Sequence, residues 1–398
     1  MVNSAAAPAI CRAGAEVSCV RSISTEIERV DPQSKFQVNR FIEIPFRLYA
    51  GHPQWVPPLR SEVAKSFDRR RHPFYESSDA AFFIAVRGGR DVGRVAALEN
   101  RPFNEHHGTR HANFYFFDCE DDPDAAAALL DCVSEWARTR GLDTLVGPKG
   151  LSALDGFGVL VEGFEHRQMM TMTNYNYPYV SRLLEGLGFV KEIDFVSSLL
   201  CKHSFRMSER LIRVAARAEQ RGFLKIKRFA TKRELVKWAP RIGTAYNRAF
   251  VRNWEYHPLS QHEIDYILGN FLLVADPRLI RLILRGDDVV GFMLAFPDLS
   301  AALQQAHGRL TPLSLLRLLR EKRRTRWVCM NGAGILPEFH GYGGNAMLYS
   351  EIVRTLLQAG FEHADLPQVA DTAVQMRRDL EELGARPYKV HRVYRRGV

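Results

Sequence analysis

The stretch GILPEFHGYGGNAMLY, residues 334–349, decides the fold of this chain. The β-prone segment TRWVCMNGAGILP predicts a strand that ends at Pro337. A turn with Gly341, Gly343 and Gly344 follows, and NAMLYSEIVRTLLQAG predicts a helix, with apolar residues at helical spacing and a glycine as its stop. The sequence therefore predicts a strand, a glycine-rich turn and a helix in direct succession.

A glycine-rich turn directly before a helix can form a cradle for an anion. Glycines let backbone N–H groups approach a ligand closely, and the helix N-terminus adds free donors and a positive dipole end. Together these features suit a pyrophosphate, although a plain tight turn is the alternative. The spacing is neither that of a Walker A loop, which needs Gly-Lys-Ser/Thr, nor a complete GxGxxG fingerprint.

The order of predicted elements is repeated along the chain. AAFFIAVRGGRDVGRVAALEN, residues 80–100, predicts a hairpin, and a strand, a helix, a short strand, a helix and a strand follow it. LIRLILRGDDVVGFMLAFPD, residues 279–298, predicts a second hairpin before the same order. The sequence therefore predicts an α/β (α+β) fold made of two copies of one unit, with a boundary near residues 205–225.

The chain has 398 residues, which suits two domains. We predict a flexible tail at residues 1–35, a first unit at 36–205 and a second at 206–398. The N-terminus lacks the pattern of a secretory signal, and no stretch of 18 apolar residues predicts a membrane span. None of the six cysteines forms a CxxC pair, so we expect no structural metal or disulfide framework. A cytoplasmic location fits best, with peripheral contact at the inner membrane left open.

The 334–349 segment resembles motif A of the GNAT superfamily, Arg/Gln-x-x-Gly-x-Gly/Ala after a strand ending in Val/Ile-x-Pro. His340 stands in the Arg/Gln position, Gly343 matches the central glycine, and Asn345 replaces the last small residue. The resemblance implies two GNAT-like units with mixed, mostly antiparallel sheets flanked by helices, an acyl-CoA donor and no metal. The residues that it implies for acyl-CoA binding are Gly334, Ile335, Leu336, His340, Gly341, Tyr342, Gly343, Gly344, Asn345 and Ala346.

The corresponding point of the first unit has a different character. Asp121, Asp122 and Asp124 follow the strand FYFFDCE, and no glycine accompanies them. Carboxylates suit a helix N-terminus but would repel a pyrophosphate. We therefore expect the first unit to keep the fold without the acyl-CoA site. It either shapes the acceptor pocket or serves only as a structural partner.

Further segments extend the resemblance over residues 36–398. PFRLYAGHPQWVPPL, GPKGLSALDGFGVLVEGF, NRAFVRNWEYHPLS and LGARPYKVHRVY are similar to a bacterial family of tandem GNAT-fold proteins. That family resembles the bacterial ceramide synthases, which join a fatty acyl group to a sphingoid amine. The resemblance implies N-acyl transfer from a long-chain acyl-CoA to a lipid-like amine. At GLSALDGFGV the chain departs from the commoner Asn- and Asp-rich version, so its acceptor can differ.

Three other functions stay open at this point. The chain could acetylate a small or peptidic amine, or it could be a non-catalytic interaction protein with a degenerate GNAT fold. A transferase that depends on aminoacyl-tRNA is a more distant alternative.

Four residues are candidates for the proton transfers of such a reaction. The resemblance implies that backbone N–H groups at 334–336 polarise the acyl carbonyl, and that a tyrosine, here Tyr388, protonates the departing thiolate. The attacking amine must first lose a proton to a base. Glu255 and His257, in RNWEYHPLS, are candidates, and Asp298 after the second hairpin is a third. The alternatives are a packing tyrosine, a helix-capping loop and a turn residue.

The formal net charge is +10, which favours anionic partners. GRLTPLSLLRLLREKRRTRW, residues 308–327, places leucines at helical spacing on one face and basic residues on the rest. Such a helix can lie on an anionic membrane, although an ordinary solvated surface helix is the alternative. Aromatic residues are not interleaved with this basic run, and no nucleic-acid partner is expected. We interpret the histidines of FNEHHGTRH, residues 103–111, as part of a solvated loop.

Overall fold

The computed structural model describes residues 24–152, 155–170, 173–251, 254 and 256–398. These residues form thirteen strands and twelve α-helices. The strands are β1 (Glu26–Arg29), β2 (Asp79–Arg87), β3 (Arg90–Glu99), β4 (His111–Cys119), β5 (Thr144–Gly147), β6 (Val159–Glu162), β7 (Val190–Cys201), β8 (Lys225–Lys227), β9 (Ile280–Arg285), β10 (Asp288–Pro297), β11 (Trp327–Ile335), β12 (His363–Ala370) and β13 (Arg386–Gly397). The helices are α1 (Lys35–Leu48), α2 (Arg60–Lys65), α3 (Arg101–His107), α4 (Pro123–Arg138), α5 (Tyr179–Gly186), α6 (Glu209–Arg221), α7 (Lys232–Ala249), α8 (Gln261–Val274), α9 (Ser300–Ala306), α10 (Pro312–Arg324), α11 (Gly344–Gln358) and α12 (Val374–Glu382).

The strands of the described residues join in one sheet, in the order β1-β2-β3-β4-β5-β13-β7-β12-β11-β10-β9-β8, with β6 paired to β13 off this path. The pairs β4·β5 and β11·β12 are parallel. The remaining pairs are antiparallel. The predicted mixed, mostly antiparallel sheet with flanking helices is therefore confirmed.

The repeated order of elements is also present. Both predicted hairpins form, β2–β3 in the first half and β9–β10 in the second. After each hairpin a strand, a helix and a parallel strand follow: β4, α4 and β5 in the first half, and β11, α11 and β12 in the second. Each half thus carries one parallel pair connected through a helix.

The two halves exchange their last strands. Strand β7, which ends the first half, pairs along β12 of the second half. Strand β13, at the end of the chain, lies between β5 and β7 and also pairs with β6. The predicted units, 36–205 and 206–398, divide the chain by sequence order. In the structure, residues 386–397 of the second unit form β13, which completes the sheet of the first unit.

Two local predictions differ from the structure. The predicted tail reached residue 35, but Glu26–Arg29 forms β1 on the edge of the sheet, because its backbone pairs with β2. Residues 1–23 lie outside the described part of the chain. The predicted histidine loop is instead helix α3 followed by the start of β4, and His107 Nε2 lies 2.7 Å from the carbonyl oxygen of Tyr256.

The insertion between β10 and β11 ties the halves together and positions the site. It consists of α9 and α10, which pack against each other. Gln304 Nε2 donates hydrogen bonds to the carbonyls of Pro53 at 2.7 Å and Trp55 at 2.9 Å, and the Arg60 N–H donates to the Gly308 carbonyl at 3.0 Å. None of the helices in the described part of the chain has the length and hydropathy that a membrane crossing requires.

Candidate active site

The loop between β11 and α11 has a backbone geometry that favours glycine. Gly341 has φ +83° and Gly343 has φ +86°, both in the left-handed region. Gly343 is the N-cap of α11 and offers no side-chain cap, so the N–H groups of the first helical turn are left for a ligand. Gly341, Tyr342 and Asn345 are exposed on this loop. The predicted glycine-rich turn before a helix is therefore present and lies at the surface, and anion binding by it stays a prediction.

Helix α6 closes one side of this loop. A Cβ atom on Gly343 would lie 2.9 Å from Ala218 Cβ and 3.3 Å from Val214 Cγ1. The ring of Tyr342 stacks on Phe223 with centroids 5.1 Å apart. Glycine at position 343 is therefore required by the packing of α6 as well as by its φ angle.

The side chain of His340 ties the turn to the end of β11. Its Nε2 atom lies 2.9 Å from the carbonyl oxygen of Ile335, at hydrogen-bond distance. The residue at the Arg/Gln position of the motif thus shapes the loop from within. A backbone held in this way needs little reorganisation when an anion binds.

A bulge interrupts β11 just before the glycine-rich segment. Leu294 pairs with Gly332 and Ala295 pairs with Met330, so Asn331 is the extra residue. The described pairing of β11 with β12 covers residues 327–329. Among the described residues no pairing joins β11 to β12 beyond residue 329, so residues 332–335 pair with β10 alone.

A cavity of about 660 Å³ lies between the two halves. The first half contributes residues 55–59, 115–117 and 168–170, and the second half contributes α8, α9 and α10. Most of its lining side chains are apolar, and Asn331 of the β11 bulge is among them. The cavity therefore leads from the acyl-CoA strand predicted by the sequence to helix α10. The sequence left the role of the first half open, and residues 55–59 stand out in it only as part of a segment that carries the family resemblance.

Buried carboxylates give this cavity a polar side. Asp118 pairs with Arg94 at 2.7 Å and accepts a hydrogen bond from the Tyr49 hydroxyl at 2.9 Å. Asp155 accepts hydrogen bonds from the N–H groups of Leu151 at 2.8 Å and Ser152 at 3.0 Å. Burial raises the pKa of Asp155 to about 6. Asp155 belongs to the segment in which the sequence departs from the commoner family version.

Tyr388 belongs to a buried polar cluster with Asp365 of β12 and Lys389 of β13. Its hydroxyl donates to Asp365 Oδ1 at 2.6 Å, and Lys389 Nζ lies 3.3 Å from the Tyr388 hydroxyl. Burial raises the pKa of Asp365 to about 6 and lowers the pKa of Lys389. Burial and the neighbouring carboxylate raise the pKa of Tyr388, so its hydroxyl stays protonated. Asp365 Oδ2 is buried and has no hydrogen-bond partner in the described part of the chain.

Asp298 joins the same network through Arg167. Its carboxylate pairs with Arg167 Nη2 at 2.5 Å, and Lys389 Nζ donates to the Arg167 carbonyl at 2.6 Å. Asp298 also accepts a hydrogen bond from the Ser300 N–H at 3.0 Å, at the start of α9. The structure thus brings two predicted catalytic residues, Tyr388 and Asp298, into one network. The hydrogen bond from Ser300 also agrees with the alternative interpretation of Asp298, in which it only stabilises the turn.

His257 lies apart from this network. It is buried, its Nε2 is 4.0 Å from Glu263 Oε1, and its ring centroid is 6.3 Å from that of Phe103. Among the described residues, no contact links His257 to Tyr388. The other predicted base of this segment, Glu255, lies outside the described residues.

Two arginines that sequence reasoning missed lie beside the glycine-rich loop. A second pocket of about 480 Å³ is lined by Arg248, Arg285, Glu338 and Phe339, among others. Arg248 pairs with Glu338, and the Arg285 guanidinium lies over the Phe223 ring, 4.8 Å from its centroid. Arg285 has no ion pair among the described residues and adds positive charge beside the loop, whereas Glu338 offsets the charge of Arg248. Arg248 belongs to α7 and Arg285 is the last residue of β9, and neither was predicted to contact the donor.

The matching position of the first half already holds an anion. Asp122 caps α4 by accepting hydrogen bonds from the N–H groups of Asp124 at 3.0 Å and Ala125 at 3.2 Å. Arg87 pairs with the same carboxylate. The chain's own carboxylate occupies the donors that a pyrophosphate would need.

This arrangement matches solved structures over nearly the whole chain. A tandem GNAT protein from the clavulanic acid biosynthesis pathway superposes with a TM-score of 0.54 at 11% identity, covering 94% of this chain and 98% of that one. The chain has a tandem GNAT fold. A GCN5-related glucosamine N-acetyltransferase region of a fungal multi-domain GH3 beta-N-acetylglucosaminidase also gives a TM-score of 0.54, at 12% identity over 95% of this chain and 38% of that chain.

Two curated proteins are similar in sequence. The bacterial ceramide synthase of Caulobacter vibrioides (strain NA1000 / CB15N) is 24% identical over 387 residues, 95% of this chain and 99% of that protein. Protein YghO of Escherichia coli (strain K12) is 24% identical over 374 residues, 92% of this chain and 94% of that protein. No protein-family model matches the chain. The predicted resemblance to tandem GNAT proteins and to bacterial ceramide synthases is confirmed.

Proposed function

We propose that this chain is an acyl-CoA-dependent N-acyltransferase that moves a long-chain acyl group to a lipid-like amine, in particular a sphingoid base. The tandem GNAT fold and the full-length similarity to a protein named bacterial ceramide synthase support acyl transfer to an amine. The observation that carries the lipid substrate is the apolar cavity that reaches the β11 bulge.

The donor binds along the second half of the sheet in this proposal. The pyrophosphate of acyl-CoA lies at the N-terminus of α11, where the loop at 341–344 offers backbone N–H groups and a positive dipole end. The pantetheine follows residues 334–336 along the edge of β11 that is not paired with β12, and a backbone N–H there polarises the acyl carbonyl. Arg285, which has no ion pair among the described residues, favours the negative charge of the donor from the side.

The cavity favours a long apolar substrate over a small amine. Its volume of about 660 Å³ lies within the range of about 300–1,000 Å³ that is usual for small-molecule sites. An alkyl chain buried there gains about 0.8 kcal/mol for each CH₂ removed from water, whereas a small amine would leave most of the cavity unused. The proposal gives the first half of the chain the role of shaping the acceptor site.

The buried cluster on β12 and β13 supplies the proton transfers in this proposal. Asp365, with its pKa near 6, accepts the proton that the amine must lose before it attacks the thioester. The new amide bond forms as the carbon–sulfur bond breaks, and Tyr388 gives its proton to the departing thiolate. Asp298 positions Arg167 and, through its carbonyl, Lys389. His257 and Glu255 remain alternative bases.

The function is tested by incubating the purified chain with palmitoyl-CoA and sphinganine. We expect free CoA and N-palmitoyl sphinganine in equal amounts, measured by a thiol assay and by mass spectrometry. Acetyl-CoA with a small amine or a peptide serves as the comparison, and faster turnover of that pair would favour an acetyltransferase. Absence of CoA binding by calorimetry would contradict the proposal and favour a non-catalytic interaction protein.

A further inference from the structure

Helix α10 exposes leucines that a helix on a water-facing surface ordinarily buries. Five leucines in and just before this helix are each between 52% and 64% exposed: Leu310, Leu313, Leu315, Leu316 and Leu319. Single exposed leucines are ordinary on protein surfaces, but a cluster of this size on one helix marks an interaction site.

The leucines of α10 fall on two sides of the helix. Residues in an α-helix succeed one another at about 100° around its axis. Leu315 and Leu319 line the cavity together with Lys322 on one side. Leu313 and Leu316 do not line it, and they lie about 160° and 100° from Leu315 around the helix axis. The helix therefore serves as a wall of the cavity and presents a separate apolar surface to the outside.

The outward side of α10 is also strongly basic. At 100° per residue, Arg317, Arg320 and Arg324 fall beside Leu313, and all three arginines are exposed. Within the part of the chain that the structure describes, no ion pair is found for these three arginines. Leucines interspersed with unpaired arginines suit the boundary between headgroups and acyl chains of an anionic bilayer. The same charges would repel an identical face of a second copy of the chain.

The cavity opens next to this outward side. Leu310, Leu315 and Leu319 line the cavity and yet are more than half exposed, which places them at its mouth. A bilayer in contact with Leu313 and Leu316 would cover this mouth with acyl chains. A lipid could then leave the bilayer and enter the cavity without crossing water.

We propose that the outward side of α10, formed by Leu313, Leu316, Arg317, Arg320 and Arg324, docks on an anionic lipid bilayer. The lipid amine then enters the cavity from the bilayer between the leucines at its mouth. This entry route rests on the proposed function, whereas the docking does not depend on any catalytic activity.

Docking is tested with the full chain and vesicles in a flotation assay. We expect the chain to float with vesicles that contain phosphatidylglycerol and to bind pure phosphatidylcholine vesicles at least tenfold more weakly. Leu313→Ser/Leu316→Ser should weaken binding at least tenfold. Arg317→Gln/Arg320→Gln should weaken binding to acidic vesicles by a similar factor, because each arginine near an anionic surface contributes about 1 kcal/mol. Arg70→Gln/Arg71→Gln removes the same charge from another exposed segment and should bind like the unchanged chain.

Two results would overturn the docking proposal. One is vesicle binding that survives unchanged in both α10 variants. The other is an absence of binding to acidic vesicles by the unchanged chain. If the chain instead self-associates, measured by analytical ultracentrifugation, and Leu313→Ser/Leu316→Ser removes this self-association, the surface is a contact between copies of the chain.

The entry route is tested by the transfer of a fluorescent C18 amine from acidic vesicles to the protein, a readout that needs no turnover. Leu319→Trp narrows the mouth and should slow this transfer at least fivefold while vesicle binding stays unchanged. Transfer at the unchanged rate would overturn the entry route. If the amine enters through the mouth but no acyl-CoA is consumed, the proposed function fails while docking and entry stand.

Discussion

Tyr388 and Tyr394 both lie on β13 and make similar hydrogen bonds, so variants of the two can distinguish an effect on catalysis from an effect on stability. Each hydroxyl donates a hydrogen bond to a carboxylate, Tyr388 to Asp365 at 2.6 Å and Tyr394 to Glu185 at 2.8 Å. Replacing either tyrosine by phenylalanine removes one such bond and should lower the free energy of unfolding by on the order of 1–2 kcal/mol. Only Tyr388 belongs to the network that holds Asp298.

We therefore expect Tyr388→Phe to lower kcat by about 10²-fold or more and to leave the KM for acyl-CoA nearly unchanged, because the hydroxyl acts in proton transfer. Tyr394→Phe should keep the kcat of the unchanged chain. Steady-state kinetics with palmitoyl-CoA, combined with urea unfolding, measure both effects. Equal losses of kcat in the two variants would show that Tyr388 has a packing role.

The raised pKa of Asp365 sets a pH dependence with a definite sign. Burial disfavours the charged carboxylate and moves its pKa from 3.8 to about 6, so the group binds a proton as the pH falls through about 6. A base must be deprotonated to act, and we expect kcat/KM to fall about tenfold per pH unit below this value. Asp365→Asn should lower kcat/KM and remove this limb of the profile.

Asp155 provides the control for this assignment, because burial raises its pKa to about 6 as well. Asp155→Asn should retain the acidic limb of the pH profile even if it changes the KM for the amine. A limb that persists in Asp365→Asn and disappears in Asp155→Asn would place the base in the cavity and not on β12.

At the scale of elements, the junction of β11 and α11 offers a second matched pair. Gly341 and Gly343 both have positive φ, so alanine at either position costs about 1 kcal/mol in backbone strain. A Cβ on Gly341 meets nothing within 4 Å, whereas a Cβ on Gly343 would lie 2.9 Å from Ala218 of α6. Gly343→Ala should therefore lose about 1–3 kcal/mol more stability than Gly341→Ala.

Urea unfolding measures this difference, and calorimetry with CoA measures its effect on the cradle. If α6 packing holds the loop in shape, Gly343→Ala should also weaken CoA binding more than Gly341→Ala does. Equal stability of the two variants would mean that α6 shifts to accommodate the added Cβ at no loss of stability, and that α6 does not support the loop.

The elements of the chain were largely predictable because each depends on local sequence. The hairpin around Gly286, the helix with Gly360 as its stop and the acidic start of α4 follow from turn, periodicity and capping rules. Strand β1 was not predictable, because EIER has a single apolar residue, and the groups that hold it lie outside the segment: β2, Arg40 and the core against which Ile27 packs. Helix α3 was not predicted either: its segment is rich in histidine, and we interpreted it as a solvated loop.

The candidate site was predictable only where a motif carries it. The β11–α11 loop forms a continuous stretch, and its glycines could be read directly. The network of Tyr388, Asp365, Lys389 and Arg167 gathers residues from three distant segments that only the folded sheet brings together. The cavity has the same origin, since both halves contribute to its wall. Local sequence patterns cannot predict contacts between residues that are distant in sequence.

At the scale of the whole molecule, the exchange of β7 and β13 makes the two halves depend on each other. Strand β13 lies between β5 and β7, and its residues Val393 and Tyr394 are almost fully buried. The Val398 N–H donates to the Asp143 carbonyl at 2.9 Å, beyond the last strand. The polar cluster of the site lies on β12 and β13, so the strand that completes the first half also carries Tyr388.

We therefore expect a chain that ends at residue 385 to lose order in its first half. Removing β13 leaves β5 and β7 with unpaired edges and uncovers buried apolar side chains. Hydrogen exchange should show backbone amides of β5 and β6 at nearly unfolded rates, whereas the β9–β10 hairpin, which has no pairing with β13, should keep more of its protection. A synthetic peptide of residues 386–398, added in trans, should restore protection to β5.

If β5 and β6 exchanged as slowly in the shortened chain as in the full one, the first half would be an independent domain. The predicted boundary near residue 205 would then describe folding as well as sequence order.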